Sequence, residues 1–234
     1  AALKKSVLEL GGSDPYLILE DADLELAVET CVNSRCINTG QSCIAAKRFI
    51  VVEKMRKEFE EAFVEKMRAK RIGNPLGDVD LGPLARNDLR HALHRQVEAS
   101  VSKGAKLRLG GVYPEGKGFF YPPTVLSHVT KGMPAYDEEL FGPVAAIIAA
   151  KDEAEAIALA NDTCYGLGAA IFTSDPERGE RIAKEIEAGN CFVNAMVRSD
   201  PRLPFGGIKD SGYGRELSRI GIHEFANIKT VFVR

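Results

Sequence analysis

The stretch Asn38-Thr39-Gly40-Gln41-Ser42-Cys43 places a thiol directly after a small, polar turn, and Ile44-Ala45-Ala46 then leads into an apolar run. Glycine lets the backbone turn sharply or approach a ligand closely, and the small neighbours leave room around the sulfur. If Ile44-Ala45-Ala46 opens a helical turn, Cys43 sits at its positive end, where thiolate is favoured over thiol. Proteins build nucleophiles in this way. The competing reading is a buried small hydrophobe, the usual role of a free cysteine.

Two elements must position that loop. Asp21 or Asp23 can cap a helix running to about Ile37, with Leu24, Ala27, Val28, Cys31 and Val32 at core spacing. Residues 47–53 read as the strand that receives the chain after Cys43. Cys31, Cys36, Cys164 and Cys191 are read as packing residues. Upstream, residues 6–10 and 16–19 read as strands. Downstream, residues 55–70 and 86–103 read as helices and 106–109 as a short strand. From Val144 the chain alternates: strand 144–150, helix 153–161, strand 169–173, helix 176–188 and strand 191–194. This rhythm predicts an α/β fold with a mostly parallel, twisted sheet covered by helices. Residues 230–233 read as a last strand.

Composition narrows the partners. The 234 residues are 45% apolar and 27% charged with a net charge of -2, ordinary for a soluble globular protein and no attraction for nucleic acid. The run Ala145-Ala146-Ile147-Ile148-Ala149-Ala150 is strand-sized, so no membrane partner is expected. Five cysteines, an odd number without CxxC spacing, argue against a disulfide framework or a zinc site and for a reducing, cytoplasmic setting. His91 and His94 share a helix face but lack the flanking HExxH pattern, so no metal is assigned.

Four motifs occur in series: Glu9-Leu10-Gly11-Gly12, the Asn38–Cys43 loop, Glu139-Leu140-Phe141-Gly142-Pro143, and Pro204-Phe205-Gly206-Gly207 leading into Lys209-Asp210-Ser211-Gly212-Tyr213-Gly214-Arg215-Glu216. In this order they resemble the aldehyde dehydrogenase superfamily from about Val7 to the C-terminus. Within it, Gly12-Ser13-Asp14-Pro15 and Val144-Ala145-Ala146-Ile147 are most similar to bacterial NAD(P)-dependent succinate-semialdehyde dehydrogenases. The resemblance implies that Cys43 adds to the aldehyde and that Glu9 activates the water that hydrolyses the thioacyl intermediate. It implies that Glu139 binds the nicotinamide ribose of NAD or NADP and that Phe141 borders the nicotinamide. Read without it, Glu9 is an edge charge, although the paired glycines favour a motif that needs close backbone approach. Some members carry an Arg six residues before the nucleophile; here that position is Ile37. Arg35, Arg198 and Ser199 are the remaining candidates for gripping a substrate carboxylate.

The resemblance also divides the chain. Residues 1–12 correspond to the end of a dinucleotide-binding domain and its link, 13–226 to the catalytic domain, and 227–234 to a C-terminal oligomerisation strand that would join copies of the chain. A Gly-rich phosphate turn followed by a helix, which would bind a pyrophosphate, is absent from the 234 residues. The resemblance therefore implies the catalytic portion of an NAD(P)-dependent aldehyde dehydrogenase that oxidises an aldehyde, succinate semialdehyde foremost, to the carboxylic acid. Two alternatives stand beside this: a truncated fragment that keeps the fold and assembly surface without turnover, and a thiol acyltransferase or esterase using Cys43 without a cofactor.

Overall fold

Tyr16-Leu17-Ile18, Phe49-Ile50-Val51-Val52 and Val144-Ala145-Ala146-Ile147-Ile148 are apolar at every position rather than at alternate ones. Strands written this way are covered on both faces. In the computed structural model, which describes residues 3–234, they lie at the centre of one sheet. The strands are β1 (Leu8–Glu9), β2 (Pro15–Ile18), β3 (Arg48–Val52), β4 (Lys106–Leu109), β5 (Thr124–Ser127), β6 (Val144–Ala150), β7 (Tyr165–Gly166), β8 (Gly168–Phe172), β9 (Asn190–Val193), β10 (Ile208–Lys209) and β11 (Gly212–Tyr213). Seven of them form the main sheet in the order β4-β5-β6-β3-β2-β8-β9, parallel except for the edge strand β4. Two short antiparallel ladders, β1 with β11 and β7 with β10, sit outside it.

Successive side chains of the central strands feed two separate cores, as the period of two requires. Leu17, Ile50, Ala146, Ile148 and Ile171 face one core, and Tyr16, Ile18, Phe49, Ile147 and Phe172 face the other. The second core is closed by α1 (Leu24–Cys36) and α2 (Glu53–Arg68), through Val28, Cys31, Phe59, Phe63 and Met67. The first is closed by α3 (Asn87–Ser102), the short α4 (Pro134–Asp137), α5 (Glu153–Asn161) and α6 (Pro176–Ala183). Asp23 caps α1 by accepting from the Leu26 N–H at 3.0 Å, and Asp175 caps α6. A last helix, α7, spans Ser218–Glu224.

The expected last strand forms no ladder among the described residues. Residues 227–234 carry no regular structure, and Val231, Phe232 and Val233 are 75%, 84% and 84% exposed. A strand needs a neighbour for its N–H and C=O groups, and the chain supplies none there. The expected strand at 6–10 shortens to the two residues of β1, paired with β11.

Arg48 opens β3 yet is fully buried. Its guanidinium donates to the carbonyls of Leu159 at 2.9 Å, Ala160 at 2.9 Å and Ser13 at 3.0 Å. Leu159 and Ala160 lie in the last turn of α5, whose carbonyls have no donor within the helix. One side chain thus caps α5 and ties it to the segment before β2. Replacing Arg48 by Met is expected to lower stability on the order of 3 kcal/mol or more, because three buried carbonyls lose their donor at about 1–3 kcal/mol each. Urea denaturation followed by circular dichroism measures this, and an unchanged midpoint would refute the capping role.

Candidate active site

The loop before Cys43 is built from three consecutive left-handed residues, Asn38 (φ 49°), Thr39 (φ 57°) and Gly40 (φ 74°). Non-glycine residues pay for that conformation in strain, so the surroundings must hold it. Arg35 does most of this, donating to the carbonyls of Gly40 at 2.8 Å and Val144 at 3.3 Å. Gln41 accepts from the Ala85 N–H at 2.8 Å, and Thr39 accepts from the Gly82 N–H at 3.2 Å. A Cβ at Gly40 would come within 2.3 Å of the Gly142 carbonyl, so the loop is pressed against the Glu139–Pro143 segment. Arg35 is completely buried in this duty. That corrects its candidacy for substrate: its two terminal amino groups hold backbone carbonyls, and the whole guanidinium is enclosed in the fold where a substrate carboxylate does not reach it.

Cys43 itself is half-buried. The residues after it form a turn rather than a helix, so the expected helix-dipole stabilisation of a thiolate is absent. Burial raises the thiol above its ordinary value, Asp14 and Glu139 add to the rise, and Lys47 and the Ile44 N–H pull against it without prevailing. Cys164 is also corrected, since it is exposed rather than packed; its turn before β7 puts it at the surface. Cys31 and Cys36 are buried as expected, and Cys191 is half-buried.

The Glu9–Gly12 motif and Glu139 meet next to this thiol. Glu139 Oε1 accepts from the Gly12 N–H at 3.1 Å and lies 3.3 Å from Lys47 Nζ. A Cβ on Gly11 would fall 2.7 Å from Glu139 Oε2, and one on Gly12 would fall 2.8 Å from the Cys43 carbonyl. The paired glycines are therefore where three segments touch. Glu9, on β1, is half-buried, and neither carboxylate oxygen has a hydrogen-bond partner among the described residues. Burial raises its pKa first and Glu216 second, against the opposing pull of the Gly207 N–H and Arg215. An unpartnered carboxylate with weakened acidity is suited to take a proton.

Phe141 is half-buried between buried Leu140 and Gly142. Arg198 and Ser199 are exposed on the loop after β9. Arg198 lines a cavity of about 280 Å³ with Cys191, Phe192, Leu203 and Phe205; Cys43 does not line it.

Two residues of this region escape reading from residue type alone. Lys47 and Asp14 are both fully buried beside Cys43. Lys47 belongs to an apolar run bound for a strand covered on both faces. That signal could have marked it, because an ammonium with no route to water must find partners inside. Among the described residues no group of three or more His, Cys, Asp or Glu is placed to hold a metal, and no helix is long and apolar enough to cross a membrane.

Asp14, Lys47, the Cys43 loop and Glu139 lie at the amino ends of the parallel strands. Asp14 precedes β2, Lys47 precedes β3, Glu139–Pro143 precedes β6 and Gly168 opens β8. Open α/β sheets more often bind ligands beyond the carboxyl ends, so this placement is distinctive. Fold and site together define an α/β domain with a cysteine-centred polar cluster at the amino edge of its sheet. The chain belongs to the aldehyde dehydrogenase family, whose model matches residues 1–231. It is 54% identical over 233 residues to the succinate semialdehyde dehydrogenase [NAD(P)+] Sad of Escherichia coli (strain K12), covering 99% of this chain and 50% of that protein. It is 50% identical over 232 residues to a probable succinate-semialdehyde dehydrogenase [NADP(+)] of Synechocystis sp., covering 99% and 51%. Its fold matches the succinic semialdehyde dehydrogenase of Streptococcus pyogenes solved with NADP+, at a TM-score of 0.94 and 40% identity over 97% of this chain and 50% of that one. A structure of Gox0499 matches at a TM-score of 0.95 and 46% identity, over 99% and 51%. The chain spans about half the length of the curated relatives it matches.

Gly40→Ala tests the loop. The added methyl meets the Gly142 carbonyl in a backbone conformation that alanine resists, so a loss of more than about 1 kcal/mol is expected. Thermal unfolding with mapping of Cys43 alkylation should show a lower midpoint and an altered Cys43 labelling rate. Wild-type values for both would mean that the loop is not held as described.

Proposed function

We propose that the chain is the catalytic portion of an NAD(P)-dependent aldehyde dehydrogenase that oxidises an aldehyde, succinate semialdehyde foremost, to the carboxylic acid. The observation that carries this reading is the convergence of Cys43, the Gly11-Gly12 backbone and Glu139. The names of the relatives supply the substrate class and the cofactor. Glu139 fits a nicotinamide ribose: Oε1 is held by Gly12 and Lys47, and Oε2 has no protein partner among the described residues on a side chain 20% exposed. Glu139 and Phe141 would hold that end, and the bound nicotinamide supplies a hydride acceptor.

The residues of the chain do the remaining work. The Cys43 thiolate attacks the carbonyl carbon, forming a C–S bond as the C=O π pair moves to oxygen. The Cys43 N–H, which donates to no group among the described residues, receives that oxyanion. After hydride loss the substrate is a thioester on Cys43. Glu9 takes a proton from water, the resulting hydroxide adds to the thioester, and collapse breaks the C–S bond to release the acid and regenerate the thiolate. Arg198 and Ser199 are the groups proposed to meet a distal carboxylate. The exposed apolar run Val231–Val233 supports assembly of copies of the chain through the C-terminal segment.

Joined to a dinucleotide-binding half, the chain should reduce NAD(P) with succinate semialdehyde, and Cys43→Ser should abolish the reaction. Glu9→Gln should keep a first-turnover burst of reduced cofactor and lose steady-state turnover. A burst surviving in Cys43→Ser would sink the assignment. Arg198→Met should raise KM for succinate semialdehyde about tenfold or more while leaving an uncharged aldehyde unaffected, consistent with loss of a charged contact. The 234-residue chain alone should bind NAD(P) weakly by titration calorimetry and form no reduced cofactor; micromolar affinity would contradict the partial cofactor site proposed.

A further inference from the structure

Lys47 is fully buried, and its ammonium donates to the Ser42 carbonyl at 3.0 Å and the Cys43 carbonyl at 2.6 Å and forms an ion pair with Glu139 Oε1 at 3.3 Å. With three N–H groups to place inside the fold, the ammonium is held by these groups rather than by water. Two of the acceptors are carbonyls of consecutive peptides. A trans peptide is planar, with its N–H pointing opposite its C=O. Holding the Ser42 carbonyl on Lys47 therefore turns the Cys43 N–H away from Lys47. Holding the Cys43 carbonyl does the same for the Ile44 N–H, which is the backbone donor that favours the Cys43 thiolate.

We infer that Lys47 is a positioning residue for the reacting centre: by gripping two successive carbonyls it aims the Cys43 and Ile44 N–H groups at the reacting atoms, and by gripping Glu139 it sets the cofactor ligand against the same loop. The inference rests on reading Cys43 as the nucleophile. Lys47 touches neither substrate nor sulfur in this role and works through the backbone. Its position at the entrance to β3 explains why the grip is rigid. The Lys47 N–H donates to the Asp14 carbonyl at 3.2 Å, and the Lys47 carbonyl accepts from the Ala146 N–H at 2.9 Å.

Charge adds a pH signature. The groups facing Lys47 are Asp14 from the segment before β2, Glu139 from the segment before β6, Arg35 from α1 and Cys43 from its own loop. Burial and Arg35 lower the Lys47 pKa to about 8, against Asp14 and Glu139. Asp14 is buried with Oδ2 unpartnered while Oδ1 accepts from the Gly168 N–H at 3.1 Å, and burial lifts it to about 6. Below pH 8 the ammonium is present and favours the Cys43 thiolate. Above pH 8 it loses its proton and that help fades, so thiolate formation rises less steeply with pH than for an isolated thiol.

The test is iodoacetamide alkylation of Cys43, read by peptide mapping between pH 6.5 and about 10 in a Cys164→Ser background that removes the exposed competitor. The parent should show a log rate rising by less than one per pH unit above pH 8. Lys47→Met should slow alkylation at pH 8 about tenfold or more, restore unit slope, and speed amide exchange of residues 42–46 without speeding that of α2. If Lys47→Met does not fold, Lys47→Met/Asp14→Asn removes the buried charge together with its opposite and carries the same measurements. Parent-like rates, slope and exchange in the variant would overturn the inference. The two readings fail separately. Alkylation independent of Lys47 with dehydrogenase turnover intact overturns this inference alone, whereas Lys47-dependent alkylation without turnover in the longer protein overturns the dehydrogenase reading alone.

Discussion

Covering β2, β3 and β6 on both faces leaves no water for any polar group that enters with them. Arg35, Lys47, Arg48 and Asp14 are nevertheless buried at or near the amino ends of those strands. Buried polar groups are tolerated only when hydrogen-bonded or paired, and here most partners are backbone carbonyls of irregular segments. Arg48 takes the end of α5 and Ser13, Arg35 takes Gly40 and Val144, and Lys47 takes Ser42 and Cys43. The need to satisfy three cations inside the fold is thus what gives the loops at this edge a single shape. Without Arg35, the strained run Asn38–Gly40 would be left to the contacts of Thr39 and Gln41 with the 82–85 segment.

The same constraint explains the location of the site. Amino ends of parallel strands bring in segments that have just left helices or turns, and those segments are free to be irregular. Here the segments before β2, β3 and β6 converge, with Gly11 and Gly12 small enough to let Glu139 and the Cys43 loop close on each other. The segment before β2 supplies Asp14, that before β3 supplies Cys43 and Lys47, and that before β6 supplies Glu139. A buried, raised thiol is a modest nucleophile by itself. In its setting, Lys47 and the Ile44 N–H counter the effect of burial, so the edge of the sheet bears on the chemistry proposed for it.

Much of this was legible in the chain. Uniformly apolar runs marked the central strands, and Asp23 marked the start of α1 within a residue or two of its observed position. The four motifs named the family that the comparison then showed. Much of what was not legible has one cause: a charged residue is read as solvated unless its surroundings are known. Arg35 passed for a substrate ligand because its burial depends on the loop folding back over it. Lys47 and Arg48 passed for ordinary strand residues because their partners lie on segments distant in sequence. Cys164 passed for packing because a turn beside glycine gives no sign of which way its side chain faces. Residues 230–233 carry the pattern of a strand, and pattern alone does not say whether a partner strand belongs to the same chain.

The ladder between β1 and β11 sets Glu9 opposite Gly212, so the residue proposed as base takes its place from a strand near the other end of the chain. Closing a loop of that length costs entropy that only the finished contact repays. The pairing of β2 with β3, which encloses the thiol loop, closes a far shorter stretch of chain and costs less. The proposed nucleophile and the proposed base are therefore held by contacts of very different reach, so loosening the β1–β11 ladder would displace Glu9 while the surroundings of Cys43 persist.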